Sequence, residues 1–313
     1  MILTLLCILA LLAGAASAAE IRVGIIGLDT SHAPAFTRIL NDKLNPDHVP
    51  GAKVVAAFPG GSPDLASSRD RLGEYTTQLR DEFGVGIVTD IPTLCSKVDA
   101  VLLESIDGRK HLEQVKLVFE AGLPVFIDKP LAASLEDARE IARLGKQHGV
   151  PWWSASNVRY HAAAEKVRLP APHGVITWGP APFEPTHHLD LSWYGIHPVE
   201  LLFSLMGTGC QSVTRTYTEG AGVIVGTWKG GRLGTVRTIR DGKQGYGAIV
   251  YGDKEIKIAD NVGAAYPELI REVVKFFEAR VPPVPNEETL EIFAFMDAAL
   301  RSKQNGGIPT KLR

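Results

Sequence analysis

The sequence predicts an α/β protein, with an N-terminal Rossmann-like doubly wound parallel sheet followed by an α+β domain whose sheet is mostly antiparallel. Three observations predict it. Between Glu20 and Ser154, short β-branched runs alternate with helical stretches, the pattern of parallel strands joined by crossover helices. Beyond residue 155, strand-like runs follow one another with glycine pairs between them and little helix. The 313 residues, 45% of them hydrophobic, suffice for about two cores of ordinary size without disulfide staples. The expected division is 1–18 as a leader, with 19–154 and 155–313 as domains.

Residues 1–19 carry no charged side chain, and Ala16-Ser17-Ala18 fits a small-residue cleavage pattern. A secretory signal peptide cut after Ala18 is therefore expected, and with it an exported, periplasmic or secreted protein. The run lacks a basic start and is nearly long enough to span a bilayer, so a membrane anchor formed by residues 1–19 is the alternative. Residues 21–26 (IRVGII) form the first strand, and Thr30 or Ser31 would cap a helix through Leu40. A strand at 53–58 (KVVAAF) leads through a Pro-Gly-Gly-Ser-Pro loop into a polar helix at 67–83. Further strands are expected at 86–89, 100–104 and 124–127, and helices at 91–96, 111–121 and 135–148. Ser134 precedes the last of these helices as its cap, with Asp137 three residues on. In the second half, strands are expected at 175–178, 211–218, 222–228, 232–240 and 246–251, with Gly230-Gly231 as a hairpin turn. Helices at 197–206, 266–279 and 287–303 complete the chain, the last two divided by Val281-Pro282-Pro283-Val284-Pro285.

The 33 Lys+Arg nearly balance 35 Asp+Glu, so no basic field invites nucleic acid, and no nucleic-acid partner is expected. Of three cysteines, Cys7 lies in the leader; Cys95 and Cys210 fall in different domains and are expected as buried free thiols.

The turn after the first strand reads Gly27-Leu28-Asp29-Thr30-Ser31-His32. A dinucleotide fingerprint, G-x-G-x-x-G, would place glycines where Asp29 and His32 stand. A carboxylate there is expected to repel a pyrophosphate, so Asp29→Gly should tighten dinucleotide binding. Where an acid would bind ribose hydroxyls, the chain has Phe58-Pro59-Gly60-Gly61, and Asp64 arrives late; Ser62, Ser67, Ser68 and Arg69 read first as a helix cap and polar surface, with a 2′-phosphate site as the alternative. A stronger signal is Asp128-Lys129-Pro130 at the carboxyl end of a strand, the edge where open α/β sheets bind ligands.

These residues, with Gly24-Ile25-Ile26-Gly27-Leu28, Asn157-Val158-Arg159-Tyr160 and Gly195-Ile196-His197-Pro198-Val199-Glu200, resemble the Gfo/Idh/MocA oxidoreductase family. The resemblance implies NAD or NADP as cofactor, held by Gly27, Leu28, Thr30, Ser31, Ser62, Ser105, Asp128 and Lys129. It implies Lys129 beside nicotinamide and substrate, and His197 as the base for a substrate hydroxyl. Arg159, Tyr194 and His188 would contact a carbohydrate-like small molecule. The family commonly has an Asp four residues before the histidine; here that position is Trp193, and Asp190, Tyr194 and Glu200 are the candidate substitutes.

The function expected on these grounds is hydride transfer to or from a sugar, cyclitol or related polyol, with cofactor retained or recycled in place outside the cytoplasm. The alternative is a non-redox protein that binds or cleaves carbohydrate on the same fold with a degenerate dinucleotide site. His187, His188, Asp190 and His197 lack a recognisable ligand spacing, so no metal is expected from them. Trp152-Trp153 reads as packing between domains, and the family's open sheet leaves room for a homo-oligomer.

Overall fold

In the computed structural model of the chain, residues 19–313 are described, so the expected leader at 1–18 and Cys7 lie outside them. No helix of the described residues is long and apolar enough to cross a membrane.

The first sheet contains β1 (Ile21–Ile26), β2 (Ala52–Phe58), β3 (Gly86–Ile87), β4 (Ala100–Leu103), β5 (Val125–Ile127) and β6 (Trp152–Trp153), in the order β3-β2-β1-β4-β5-β6. Every neighbouring pair is parallel, as the strand–helix alternation requires. The strand order reverses between β1 and β4, which opens a crevice over their carboxyl ends. The helices between these strands are α1 (His32–Asn41), α2 (Ala66–Asp81), α3 (Ile91–Cys95), α4 (His111–Glu120) and α5 (Leu135–His148). Ser134 caps α5, its hydroxyl accepting from Asp137 N at 3.0 Å. The α1 start is different: Ser31 makes no side-chain cap bond there, so its hydroxyl is not spent on the helix.

The second sheet takes β7 (Gly174–Pro180), β8 (Cys210–Tyr217), β9 (Ala221–Trp228), β10 (Leu233–Ile239), β11 (Tyr246–Tyr251), β12 (Ile256–Val262) and β13 (Thr310–Lys311). Its order is β12-β11-β7-β10-β9-β8-β13, antiparallel except for β7 beside β10. Gly230 and Gly231 make the β9–β10 turn at φ 80° and 79°, where a side chain would be strained. Strand β12 is an addition to the sequence reading. Its outward Ile256 and Ile258 and its Asp260-Asn261 give no clean alternation, so pairing with β11 creates the strand. The short helices at Asn157–Tyr160 and α6 (Ala162–Val167) were likewise not foreseen.

Three longer helices accompany the second sheet in sequence: α7 (Ile196–Met206), α8 (Tyr266–Ala279) and α9 (Asn286–Gln304). Although α8 comes from the second half of the chain, its Leu269, Ile270, Val273, Phe276 and Phe277 pack in the core of the first sheet with Val23, Phe36 and Trp153. Trp153 is tilted on Phe126 and edge-on to Phe276, so the tryptophan pair does join the two halves while also serving as an edge strand. Cys95 and Cys210 are unpaired and buried.

Candidate active site

Above the carboxyl ends of β1, β4 and β5 lies a cleft of about 180 Å³. Its first wall carries Thr30, Ser31 and His32 from the α1 start, Arg71 from α2, Ile106 beyond β4 and Lys129 beyond β5. The second carries Asn157, Trp193, Tyr194, His197, Tyr246 and Tyr266. Lys129 and His197, 68 positions apart in the sequence, therefore line one space, as only a cleft between two sheets allows.

His197 is the second residue of α7, and its Nδ1 lies 2.7 Å from Ser156 Oγ. Tyr194 and Tyr246 stand edge-on to its ring at 5.7 and 5.6 Å. Burial holds the imidazole well below its ordinary pKa, and the nearby Lys129 and His32 push in the same direction. It is thus neutral at neutral pH. In the tautomer whose Nδ1–H donates to Ser156, the Nε2 lone pair is free to accept a proton. Lys129 Nζ lies 5.7 Å from the centre of the Tyr194 ring, close enough for a cation–π attraction. Of the three substitutes considered for the acid missing at Trp193, only Tyr194 reaches this cleft. Asp190 pairs with Arg215 and Lys303 at 2.8 and 2.9 Å, and Glu200 pairs with Arg159.

Several sequence expectations are corrected by their partners. Arg159 is no substrate contact: it is buried between Glu200, at 2.8 Å, and Glu288. His188 is exposed and lines a different groove beside Arg139 and Arg313. Ser62 donates to Asp107 at 2.6 Å and Ser68 to Asp29 at 2.6 Å, so neither hydroxyl is free for a 2′-phosphate. Arg69 turns to Asp70 and Pro63 O. The Ser105 hydroxyl donates to Gln114, and the Leu28 side chain is fully buried in the core. Asp128 faces His32 instead of the cleft wall, with its Oδ2 2.7 Å from Nδ1. Gly27 has φ 91°, and an added Cβ would stand 2.3 Å from Ser105 N, so the turn itself requires glycine.

Asp29 is also corrected. It accepts from Ser68 Oγ and, at 3.0 Å, from Ile106 N, so its carboxylate ties the α1 turn to α2 and to the segment after β4. Burial raises its pKa against the pull of those donors. Removing it leaves the partly buried Ile106 N–H and the buried Ser68 hydroxyl without their acceptor. Asp29→Gly is therefore expected to cost about 2–3 kcal/mol of stability and to loosen the turn. A thermal melt and a dinucleotide titration check this; tighter binding at unchanged stability would restore the repulsion account.

Residues 21–156 match the sequence profile of the Gfo/Idh/MocA proteins, described as an oxidoreductase family with an NAD-binding Rossmann fold. That stretch, a little under half of the chain, is similar to the family's nucleotide-binding part. The relatives include a 1,5-anhydro-D-fructose reductase of Ensifer adhaerens, 35% identical over 107 residues, which are 33% of this chain and 31% of that protein. An inositol 2-dehydrogenase of Saccharopolyspora erythraea is 31% identical over 132 residues, 41% of this chain and 33% of that one. The matched stretch thus spans about a third of each of these relatives. The fold extends further. A probable dehydrogenase from Thermotoga maritima superposes with TM-score 0.74 at 22% identity, over 93% of this chain and 99% of that one. The myo-inositol dehydrogenase of Lactobacillus casei, solved with NAD(H) and myo-inositol, gives 0.74 at 18% identity over 94% and 97%.

The N-terminal domain has donors that fit a dinucleotide. The first turn of α1 carries no acidic residue, Asp29 is turned away from it, and Thr30, Ser31 and the Arg71 guanidinium share its side of the cleft. A helix start with hydroxyls and a cation suits a diphosphate. Arg71 was invisible in the sequence because a lone arginine in a polar helix looks like solvated surface. Ser156, the partner of His197, gave no signal either.

The residues considered for a metal are dispersed: His187 packs on Trp193, while His188, Asp190 and His197 have the positions given above. Among the described residues a different trio comes together. His32, Glu104 and Asp128 place one donor atom each within 4.8 Å of the others.

Proposed function

We propose that this protein is an NAD(P)-dependent oxidoreductase acting on CH–OH groups of a sugar, cyclitol or related polyol. The observation that carries the reading is the meeting of Lys129 and a neutral, Ser156-oriented His197 in one cleft beside the dinucleotide-type α1 turn. A bound nicotinamide would accept or return the hydride. His197 Nε2 takes the proton of the reacting hydroxyl, and Lys129 stabilises the negative charge that develops on its oxygen. Tyr194, 40% exposed at the cleft mouth, offers a ring face and a phenol to a ring-shaped polyol. The named chemistry of the inositol and anhydrofructose relatives supports this substrate class. The sequence of residues 1–18 adds export to the proposal, with cofactor held between oxidation and re-reduction.

Titration of the purified protein with NADH and NADPH, followed by assays of cyclitols and sugars through nicotinamide absorbance, tests the reading. Saturable binding and turnover of at least one polyol are expected. Failure to bind either dinucleotide would overturn it in favour of the non-redox carbohydrate protein.

A further inference from the structure

We propose that His32, Glu104 and Asp128 form a binding site for one divalent transition-metal ion at the floor of the cleft. The three residues come from three elements that meet at the sheet's switch point: the α1 start, the end of β4 and the end of β5. His32 Nδ1 lies 2.7 Å from Asp128 Oδ2 and 3.9 Å from Glu104 Oε2. Ligand atoms around an ion with bonds of about 2.1 Å stand roughly 3–3.5 Å apart, so these separations bracket the requirement.

A second observation, independent of the clustering, points to a ligand. Glu104 is fully buried, yet neither of its carboxylate oxygens has a hydrogen-bond partner, and Asp128 Oδ1 has none either. Three orphaned carboxylate oxygens in the interior of a close-packed sheet are costly unless something positive meets them. The donors around the trio leave this need unmet. Tyr266 and Phe36 pack on the His32 ring at 5.0 Å through their faces or edges, and Lys129 beside Asp128 forms no ion pair with either acid within 4 Å. A doubly charged cation balances the two carboxylates.

The donor set selects the ion. One imidazole nitrogen and two carboxylates suit Zn²⁺, Mn²⁺ or Fe²⁺; an all-oxygen set would suit Mg²⁺ or Ca²⁺. His32 lines the cleft while Glu104 and Asp128 lie behind it, and three protein ligands leave a coordination position open. The site is unrelated to the pattern of His187, His188 and Asp190 considered from the sequence. It is also independent of the redox reading, since its donors are side chains of the protein itself.

The test uses the whole purified protein, stripped with a chelator, dialysed against Zn²⁺ or Mn²⁺ and then against metal-free buffer. Elemental mass spectrometry is expected to find about one ion per chain, falling at least about tenfold in Glu104→Gln and in His32→Asn. Zn²⁺ or Mn²⁺ should also raise the thermal midpoint of the unaltered protein and leave that of Glu104→Gln where it was. Co²⁺ loaded into the unaltered protein gives a visible absorption and paramagnetically shifted imidazole resonances if His32 ligates. This arm decides the matter even where a variant does not fold. Metal content near zero in the unaltered protein, equal content in the variants, or Co²⁺ without imidazole signals overturns the proposal; the first of these leaves His32–Asp128 as a plain hydrogen-bonded pair.

Discussion

Lys129→Ala and His197→Gln are each expected to lower turnover of the polyol substrate by about 10²–10⁴-fold, the scale of a positioned acid–base group. The glutamine is chosen because His197 is buried against Ser156, Tyr194 and Tyr246, and truncation to alanine would add a packing loss. The double variant should lose far less than the product of the single losses, since the two groups act on one oxygen as a unit. The pH profile supplies a separate check. Burial depresses the His197 pKa, so the acid limb it governs should lie below the ordinary imidazole range and disappear in His197→Gln. A variant with normal turnover and a lowered melting midpoint would make the histidine a core residue only.

Arg159→Ala should be the most destabilising single change, by about 3–5 kcal/mol, because it strands two carboxylates in the interior. Arg159 joins the short helix at Asn157–Tyr160 to Glu200 on α7 and Glu288 on α9. Burial works against its charge, but the two carboxylates more than offset that and raise its pKa. Chemical denaturation of the variant measures the loss. Turnover per folded molecule should stay close to normal; a selective rise in the substrate KM without destabilisation would return Arg159 to the substrate site expected from the sequence.

The contrast between the Lys129–His197 pair and Arg159 shows where sequence reading reaches and stops. Lys129 and His197 are legible because each sits in a motif attached to a recognisable element boundary. Arg159 sits in such a motif too, and its resemblance suggested a ligand. Its true partners are 41 and 129 residues away, and no local pattern announces an ion pair of that span. Asp29 fails for the same reason: its donors, Ser68 and Ile106, are 39 and 77 residues distant. Strands β1, β2, β4 and β5 are legible because they are short, largely buried and rich in β-branched or aliphatic residues; β6, a Trp-Trp pair, has no such signal. The His32–Glu104–Asp128 trio is not legible, since the end of each element contributes a single residue and only the sheet order brings them together.

The placement of α8 separates the unit of inheritance from the unit of folding. The family-profile match covers residues 21–156, yet the first sheet's outer face is finished by residues 266–279, more than a hundred positions later. Each of the large apolar side chains α8 brings to that face is worth about 1.5–3 kcal/mol when fully covered. A chimera that exchanges the nucleotide-binding half for a relative's would therefore have to carry this helix across as well. Any rocking of the two sheets about the cleft would carry α8 with the first one, bending the chain at 263–265 and 280–285 as well as between β6 and β7.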